Sequence, residues 1–552
     1  MQRMHTLAEL MTNRIAAGLK RKSIVKPSEW AENYRVMGQP YPGPWTFDLH
    51  PWLRGMHDSD AEFNVGQKAA QMGFTETVLN ITFFYIDIHG VDCLYVLPAK
   101  TPDASDFSAA RFDPAIDLSE HLQTIFSDVK NVGHKRAGNT NLYIRGSKSR
   151  SGLKSVPVGV LILDEKDEMK QENIPLARER QSGYSMAKTW EISTPTVDDI
   201  GINETFKLST QDQFHFKCPG CNRHINLEFP RNMQICGEDH HDPRTAESYL
   251  KCHYCDKKLE HEEKRHFLRN GIWVPQYEDR EYRGFGVSQM YSSSFKAHPA
   301  KFIKAFFLGK TNAADEQEFY NSKLGMPHIV EGARVTEAEI KRCIGEHLSY
   351  QGMDNGLVTM GVDVGNWLHL EIDKWFIPHN CGPNINTYAK AQVLKGSKVR
   401  DFEELDLLMD QFNIRHCVID SQPEKRKAIE FAQRWPGRVH ICYYGRGVAG
   451  KQIHENEEEL SVTVDRTSWL DLSLGRFRNR AISLPRDINN EYRTHIQALI
   501  RIYEKDVDGN LVGRYVKGES AHDHLAHARN YAEIALPLAV SIGVSQDMES
   551  PT

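Results

Sequence analysis

Three short stretches of this sequence carry residues whose types and spacing suit phosphate chemistry. The first is Gly66-Gln67-Lys68-Ala69-Ala70-Gln71-Met72-Gly73-Phe74-Thr75-Glu76-Thr77, a glycine-bearing turn that feeds a helix-forming run. Such a turn offers backbone N–H groups and a positive helix end to a phosphate, and a hydroxyl at Thr75 can hold magnesium. The second is Val160-Leu161-Ile162-Leu163-Asp164-Glu165, an apolar strand ending in two acids. An aspartate at a strand tip can hold a magnesium-bound water, and a glutamate after it can orient the water that attacks a terminal phosphate. The third, Ser193-Thr194-Pro195-Thr196, follows the short run Trp190-Glu191-Ile192 and could sense that phosphate through its hydroxyls. Each stretch alone reads equally well as an ordinary turn or strand end, since the usual Gly-Lys-[Ser/Thr] is here Gly73-Phe74-Thr75. Their order in one presumptive sheet is what favours the chemical reading.

A fourth group is metal-binding. Cys218-Pro219-Gly220-Cys221 and Cys252-His253-Tyr254-Cys255 are two CxxC knuckles, and four thiolates so spaced suit a tetrahedral structural zinc. The separation between the pairs is longer than in an ordinary ribbon, so a finger must leave between them. The remaining cysteines, Cys93, Cys236, Cys343, Cys381, Cys417 and Cys442, sit among apolar neighbours and read as core thiols rather than disulfides.

A fifth group consists of acids at strand and helix ends. Leu357 to Gly365 places Asp363 near the end of an apolar strand, and Leu368 to Phe376 can pair beside it, bearing Glu371. A second buried strand, His416 to Ser421, carries Asp420. Asp523-His524-Leu525-Ala526-His527 opens a helix on which Asp523 and His527 share a face. Strand acid, strand acid, helix acid is the layout of an RNase H-like nuclease, whose carboxylates clamp divalent ions about a scissile phosphate. Hard cations such as magnesium take oxygen ligands, and a histidine ligand shifts preference toward manganese or another transition metal. The expected nuclease metal ligands are Asp363, Asp420 and Asp523, with His527 replacing or joining Asp523.

The elements that position these groups follow from length and texture. At 552 residues the chain exceeds the roughly 250 to 300 at which one core stops growing, so two large domains are expected. Hydrophobic content of 40% and charged content of 26% exclude a disordered or fibrous chain. No apolar run approaches a membrane span, and the first residues lack a signal-peptide pattern, so a cytoplasmic protein is expected. Net charge is -6, so any nucleic-acid contact must come from local patches such as Lys20-Arg21-Lys22, Arg145 to Arg150 or Lys425-Arg426-Lys427. The expected divisions are an N-terminal helical arm over 1–40, an α/β nucleotide-binding domain over 41–204 with its first helix from Thr77 to Ile88, and a zinc-ribbon-like insert over 205–275. A helical connecting region over 276–350, an RNase H-like domain over 351–536 and a tail over 537–552 complete the chain.

With these motifs in order, the chain resembles the large terminase subunits of tailed bacteriophages, in particular their lambda-like branch. The resemblance begins at Pro42-Gly43-Pro44-Trp45 and His50-Pro51-Trp52-Leu53-Arg54, and runs through Lys68 to Thr77, Arg145-Gly146 and Ser151 to Ser155. It continues through Asp164-Glu165, Ser193-Thr194-Pro195 and Phe319-Tyr320-Asn321-Ser322-Lys323-Leu324-Gly325-Met326-Pro327, and covers about residues 30 to 535. It departs at Phe74, where many relatives have lysine and some lambda-like ones an aromatic.

The resemblance implies an α/β chain with a P-loop, ASCE-type ATPase carrying a zinc-ribbon-like insert, followed by an RNase H-like nuclease. ATP hydrolysis would drive duplex DNA into a procapsid, and the endonuclease would cut concatemeric DNA. Lys68, Gln71, Gly73, Thr75 and Asp164 would bind ATP and Mg2+, Glu165 would be catalytic, and Ser193 and Thr194 would couple hydrolysis to movement. Asp363, Asp420 and Asp523 would be catalytic in the nuclease with Mg2+ or Mn2+, and Cys218, Cys221, Cys252 and Cys255 would hold Zn2+. Implied partners are double-stranded DNA, a small terminase subunit and the portal of the procapsid, with several copies assembling there. The implied location is the host cytoplasm, docked transiently on the procapsid and absent from the mature virion. Two rivals remain: a helicase-like translocase fused to a transposase-type recombinase, and a non-enzymatic capsid-assembly protein with degenerate motifs.

Overall fold

The computed structural model describes residues 25–126, 129–154, 156–350, 356–378, 385–445, 448, 450–505, 511–518 and 521–547. The basic run Lys20-Arg21-Lys22, most of the expected arm, Ser155, Cys381 and the end of the tail lie outside them. The chain divides into two compact units, Met1–His328 and Ile329–Thr552.

Unit 1 is built on an 11-stranded sheet. Its strands in chain order are β1 (Phe63–Lys68), β2 (Cys93–Leu97), β3 (Val129–Asn131), β4 (His134–Ala137), β5 (Thr140–Gly146), β6 (Val160–Asp164), β7 (Lys188–Ser193), β8 (Asp212–Lys217), β9 (His224–Ile225), β10 (Ile272–Val274) and β11 (Arg283–Val287). The spatial order is β9-β8-β11-β1-β7-β6-β2-β5-β4-β3, with β10 beside β8. From β8 to β5 every neighbouring pair is parallel. β2 and β6 are buried at every position and β1 at all but its first, as expected of strands covered on both faces. β7 therefore lies between β1 and the acid-tipped β6, the arrangement of an ASCE-type sheet.

The first helix, α1, spans Phe74–Phe84, three residues earlier than the expected Thr77 start, and passes into a π-turn at Tyr85–His89. Gly73 supplies the reason: it stands at the helix N-cap with φ 84, a left-handed conformation that glycine adopts without a Cβ clash. Two divisions also fall differently. β8, β9 and β10 lie within the expected insert, and β11 within the expected helical connection, yet all four complete the main sheet. Short strands flanked by charged residues lack the apolar run that marks β2 or β6, so their membership depends on pairing partners far along the chain.

Unit 2 is built on an eight-stranded sheet: β12 (Leu357–Val364), β13 (Leu368–Phe376), β14 (Lys390–Val399), β15 (His416–Asp420), β16 (Val439–Tyr444), β17 (Ile453–Asn456), β18 (Ser461–Val464) and β19 (Ile482–Ser483). Its order is β17-β18-β16-β15-β12-β13-β14-β19. β12, β13 and β14 form an antiparallel meander, and β15 and β16 add in parallel on the other side of β12, the RNase H-like plan. The helix α2 (His524–Asp547) lies on this sheet. Gly361 in β12 permits that contact, because a Cβ there would sit 2.1 Å from Ala528 O and from Ala532 N.

The scattered cysteines follow their expected role among the described residues: Cys93, Cys343, Cys417 and Cys442 are buried and free, and Cys236 is half-buried and free.

Candidate nucleotide and metal sites

At the carboxyl ends of β1, β6 and β7 the expected nucleotide residues converge. Lys68 ends β1, and its Nζ lies 3.1 Å from Glu165 Oε1 and 3.4 Å from Thr194 Oγ1. Thr75, in the first turn of α1, donates its Oγ1 to Asp164 Oδ1 at 3.4 Å, and Tyr95 donates its hydroxyl to Asp164 Oδ2 at 2.6 Å. Asp164 is buried, and burial together with the neighbouring Glu165 charge pushes its carboxyl up to about 6. A buried carboxylate held off its ordinary ionisation suits a cation, whose charge offsets the same cost. Glu165 has φ 61, a strained conformation for a residue with a Cβ, and turns its carboxylate toward Lys68.

The loop between β1 and α1 is held from two sides. Ala69 N donates to Val287 O at 3.0 Å, Ala70 N to Ser322 O at 2.8 Å, and Gln67 Nε2 to Gly325 O at 3.0 Å. Trp52 Nε1 donates to Met72 O at 3.0 Å, and Leu53 packs where a Cβ on Gly73 would otherwise fall. The two segments carrying the resemblance at either end of the first half thus serve as buttresses of the loop. Gln71 is exposed with φ 60. Phe74 is 1% exposed and stacks its ring where a Cβ on Gly66 would fall, so it occupies the core and not the phosphate position.

Sequence reasoning passed over Asp167. Its half-buried carboxylate accepts N–H bonds from Thr196 at 2.8 Å and Ile202 at 2.7 Å, while its own N–H donates to Ser193 Oγ at 3.2 Å. It therefore ties the acid turn to the hydroxyl turn. The sign was present in the run Asp164-Glu165-Lys166-Asp167, but runs of charge ordinarily mark solvated turns.

The cysteine knuckles meet as expected. Cys218 Sγ lies 3.8 Å from Cys255 Sγ, and Cys221 Sγ 3.9 Å from Cys252 Sγ. A tetrahedron with Zn–S bonds of about 2.3 Å has edges of about 3.8 Å, so the four sulfurs fit zinc. Gly220 N and Tyr254 N donate to Cys218 Sγ and Cys252 Sγ at 3.3 and 3.4 Å, offsetting thiolate charge.

In unit 2, Asp363 and Asp420 sit on the neighbouring parallel strands β12 and β15, where Val362 pairs with Ile419 one residue earlier. Alternation puts both acids on one face. Burial and the Asp363 charge push the Asp420 carboxyl up to about 6. Asp523 immediately precedes α2; Lys517 Nζ lies 2.6 Å from its Oδ1 and His527 Nε2 3.2 Å from its Oδ2. Burial raises the Asp523 carboxyl, and the His527 and Lys517 contacts outweigh it and hold the group well below the usual range. Arg466 Nη2 and Tyr444 Oη also reach the His527 ring, at 3.3 and 3.4 Å. Glu371 takes another part: it is fully buried and paired with Arg529, which also binds Asp373 and Glu533. The histidines around Asp363 were not singled out in the sequence. His524 Nδ1 lies 2.8 Å from Asp363 Oδ2, and His369 stacks on His524 with ring centroids 4.6 Å apart.

Of the basic patches, Arg145 donates to the Gly133 and Ile144 carbonyls, and Arg426 and Lys427 pair with Glu430 and Glu424. No helix among the described residues is long and apolar enough to cross a membrane.

Residues 39–273 match a family model described as phage terminase large subunit gpA, ATPase domain. No curated protein matches the chain significantly. Solved structures similar to it include the large terminase of a thermophilic bacteriophage, at 10% identity over 88% of this chain and 98% of that one, with a TM-score of 0.28. The ATPase domain of the Thermus phage P74-26 large terminase is 13% identical over 52% of this chain and 94% of that one, with a TM-score of 0.31. The large terminase nuclease of thermophilic phage G20c is 10% identical over 36% of this chain and 97% of that one, with a TM-score of 0.24. At these TM-scores the likeness decides nothing about this chain.

Proposed function

We propose, on the premise that residues 39–273 are an ATPase domain of the phage terminase large subunit gpA family, that the whole chain is a DNA-packaging terminase large subunit. It hydrolyses ATP to move duplex DNA and cuts that DNA with a metal-dependent nuclease. The observation that carries the reading is the convergence of Lys68, Thr75, Asp164, Glu165 and Thr194 at adjacent strand ends inside the matched segment.

In the motor, Asp164 and Thr75 would hold magnesium, which when bound neutralises phosphate charge. Lys68 places a point charge over the phosphates and holds Glu165 in reach of the attacking water. Ser193 and Thr194 sense the terminal phosphate, and Asp167 passes their displacement to the segment beginning at Ile202.

In the nuclease, Asp363 and Asp420 would hold divalent cations, which stabilise charge on the scissile phosphate. Asp523 and His527 lie by the Lys517 and Arg466 cations, which suit the flanking DNA phosphates. The four-cysteine cluster would hold a structural zinc.

The finer parts of the reading are that a small terminase subunit delivers the DNA and that several copies work on the portal of a procapsid. The chain acts in the host cytoplasm and leaves before the virion matures. One purified preparation assayed for DNA-stimulated ATP hydrolysis and for metal-dependent plasmid cleavage tests the core reading, and absence of both activities in folded protein defeats it.

A further inference from the structure

Asp420, Asp363, His369 and Lys398 stand in one row across four neighbouring strands. Asp363 of β12 faces His369 of β13, and His369 faces Lys398 of β14, each pair in direct register. Asp420 of β15 continues the row on the other side of β12, because Val362 pairs with Ile419 one residue earlier. Directly paired residues share a face, so Lys398 lies on the face that carries the two acids. Neighbouring strands are about 4.8 Å apart, which puts the Lys398 backbone about 10 Å from that of Asp363.

The turn between β12 and β13 adds an aromatic beside this row. Trp367 is 38% exposed, and Lys398 Nζ and Arg400 Cζ lie 5.7 and 5.2 Å from its ring centroid. Both cations are exposed, and Arg400 forms no ion pair among the described residues. Lys398 is shared with one acid: its Nζ lies 2.5 Å from Glu491 Oε1, on the helix Asn490–Ala498. A lone surface aromatic needs no explanation. Two exposed cations gathered on one indole concentrate like charge, and an arriving anion relieves it. The stretch from Lys390 to Arg400 carries four cations, Lys390, Lys395, Lys398 and Arg400, and no acid.

We propose that Trp367, Lys398 and Arg400 form a clamp for one backbone phosphate of the DNA strand being cut, to one side of the scissile bond. Each strand of duplex DNA carries one charge per about 3.4 Å of axis, so the span of about 10 Å from Asp363 to Lys398 reaches about three phosphates along. The two cations supply charge, and the indole sets their spacing through its ring face. Such contacts position a strand without reading its sequence. Glu491 holds Lys398 until a phosphate takes its place. The inference rests on the proposed nuclease reading and deepens it by naming the residues that grip its substrate.

The test uses the full chain with zinc at its cysteine site, no nucleotide, and no added Mg2+ or Mn2+, so that no strand is cut. Binding of a short labelled DNA duplex is followed against salt concentration. The Lys398→Gln, Arg400→Gln double variant should bind more weakly, with a slope of log affinity against log salt shallower by about 0.9, the loss of one phosphate contact. Trp367→Ala should weaken binding about two- to fivefold, and Trp367→Phe, which keeps a ring face, should restore most of it. Glu491→Gln frees Lys398 and should tighten binding. The control Lys341→Gln, at a 64% exposed side chain on the helix Glu337–Arg342, should change nothing. A parental slope in the double variant overturns the proposal, and so does a Glu491→Gln variant that binds no tighter than the parent. Plasmid cleavage in Mg2+ is scored separately, where the double variant should raise KM and leave kcat close to the parent's. A parental slope with full cleavage removes the clamp and keeps the nuclease. A shallower slope with no cleavage by the parent under any cation keeps the clamp and removes the nuclease.

Discussion

The Lys68 ammonium lies 3.1 Å from the Glu165 carboxylate, across 97 residues of chain, with the lysine nearly buried and the glutamate side chain 42% exposed. One cation therefore both ends the strand that leads into the proposed phosphate loop and holds the glutamate proposed to orient water.

Lys68→Ala should remove most ATP turnover, since a charge-assisted hydrogen bond contributes roughly 1.5 to 3 kcal/mol, or about 10 to 100-fold. Glu165→Gln should let ATP bind and block its hydrolysis. Turnover by the alanine variant within about a factor of two of the parent, with DNA present, would leave the backbone N–H groups as sole phosphate ligands.

Asp363→Asn and Asp420→Asn should each reduce cleavage by more than the roughly 10 to 100-fold that loss of an outer-shell metal partner costs. ATP hydrolysis should stay close to that of the parent, because the two sites lie in separate compact units. Gel assays of plasmid nicking beside phosphate release measure both, and loss of both activities in a folded variant contradicts the separation.

Elemental analysis of protein prepared without chelator should find about one zinc per chain at the four sulfurs. A Cys218→Ser, Cys252→Ser double variant should lose the metal together with folding of residues 218–259, read as protease sensitivity there. Metal-free parent protein of full stability argues for two pairs of plain thiols instead.

Glu191 predicts a pH dependence. Burial pushes its carboxyl up, but Lys166, 3.0 Å away, and Arg178 outweigh that and hold it at about 2. Its folded value is depressed below the ordinary 4.5, so its contribution is complete above about pH 4.5 and is lost as pH falls toward about 2. Glu191→Gln leaves Lys166 buried without its countercharge and should cost about 3 to 5 kcal/mol at pH 7. Its stability should also fall less steeply than the parent's over that acid window. Parallel acid-unfolding curves for the two proteins would refute the assignment.

The chemistry-bearing motifs were legible because each is local. A glycine turn before a helix, an apolar run ending in Asp164-Glu165, and two CxxC knuckles each declare their geometry within a dozen residues. The burial of β2 and β6 followed from their continuous apolar runs in the same way. Partners distant in sequence were not legible. β8, β10 and β11 read as insert and connection because their runs are short and lie among charged residues, and only pairing with β1 and its neighbours makes them sheet.

The amino-acid sequence by itself pointed to the two proposed kinds of chemistry and to the acids at the strand tips, because residue type and spacing constrain local backbone and ligand preference. Tertiary structure alone decided that Phe74 fills the core under Gly66, and that Glu371 neutralises Arg529. It also decided that His369 and His524 meet at Asp363. Those outcomes depend on how closely a helix and a sheet approach, and at Gly361 that distance is set by a missing side chain whose effect appears only once Ala528 and Ala532 are packed against it.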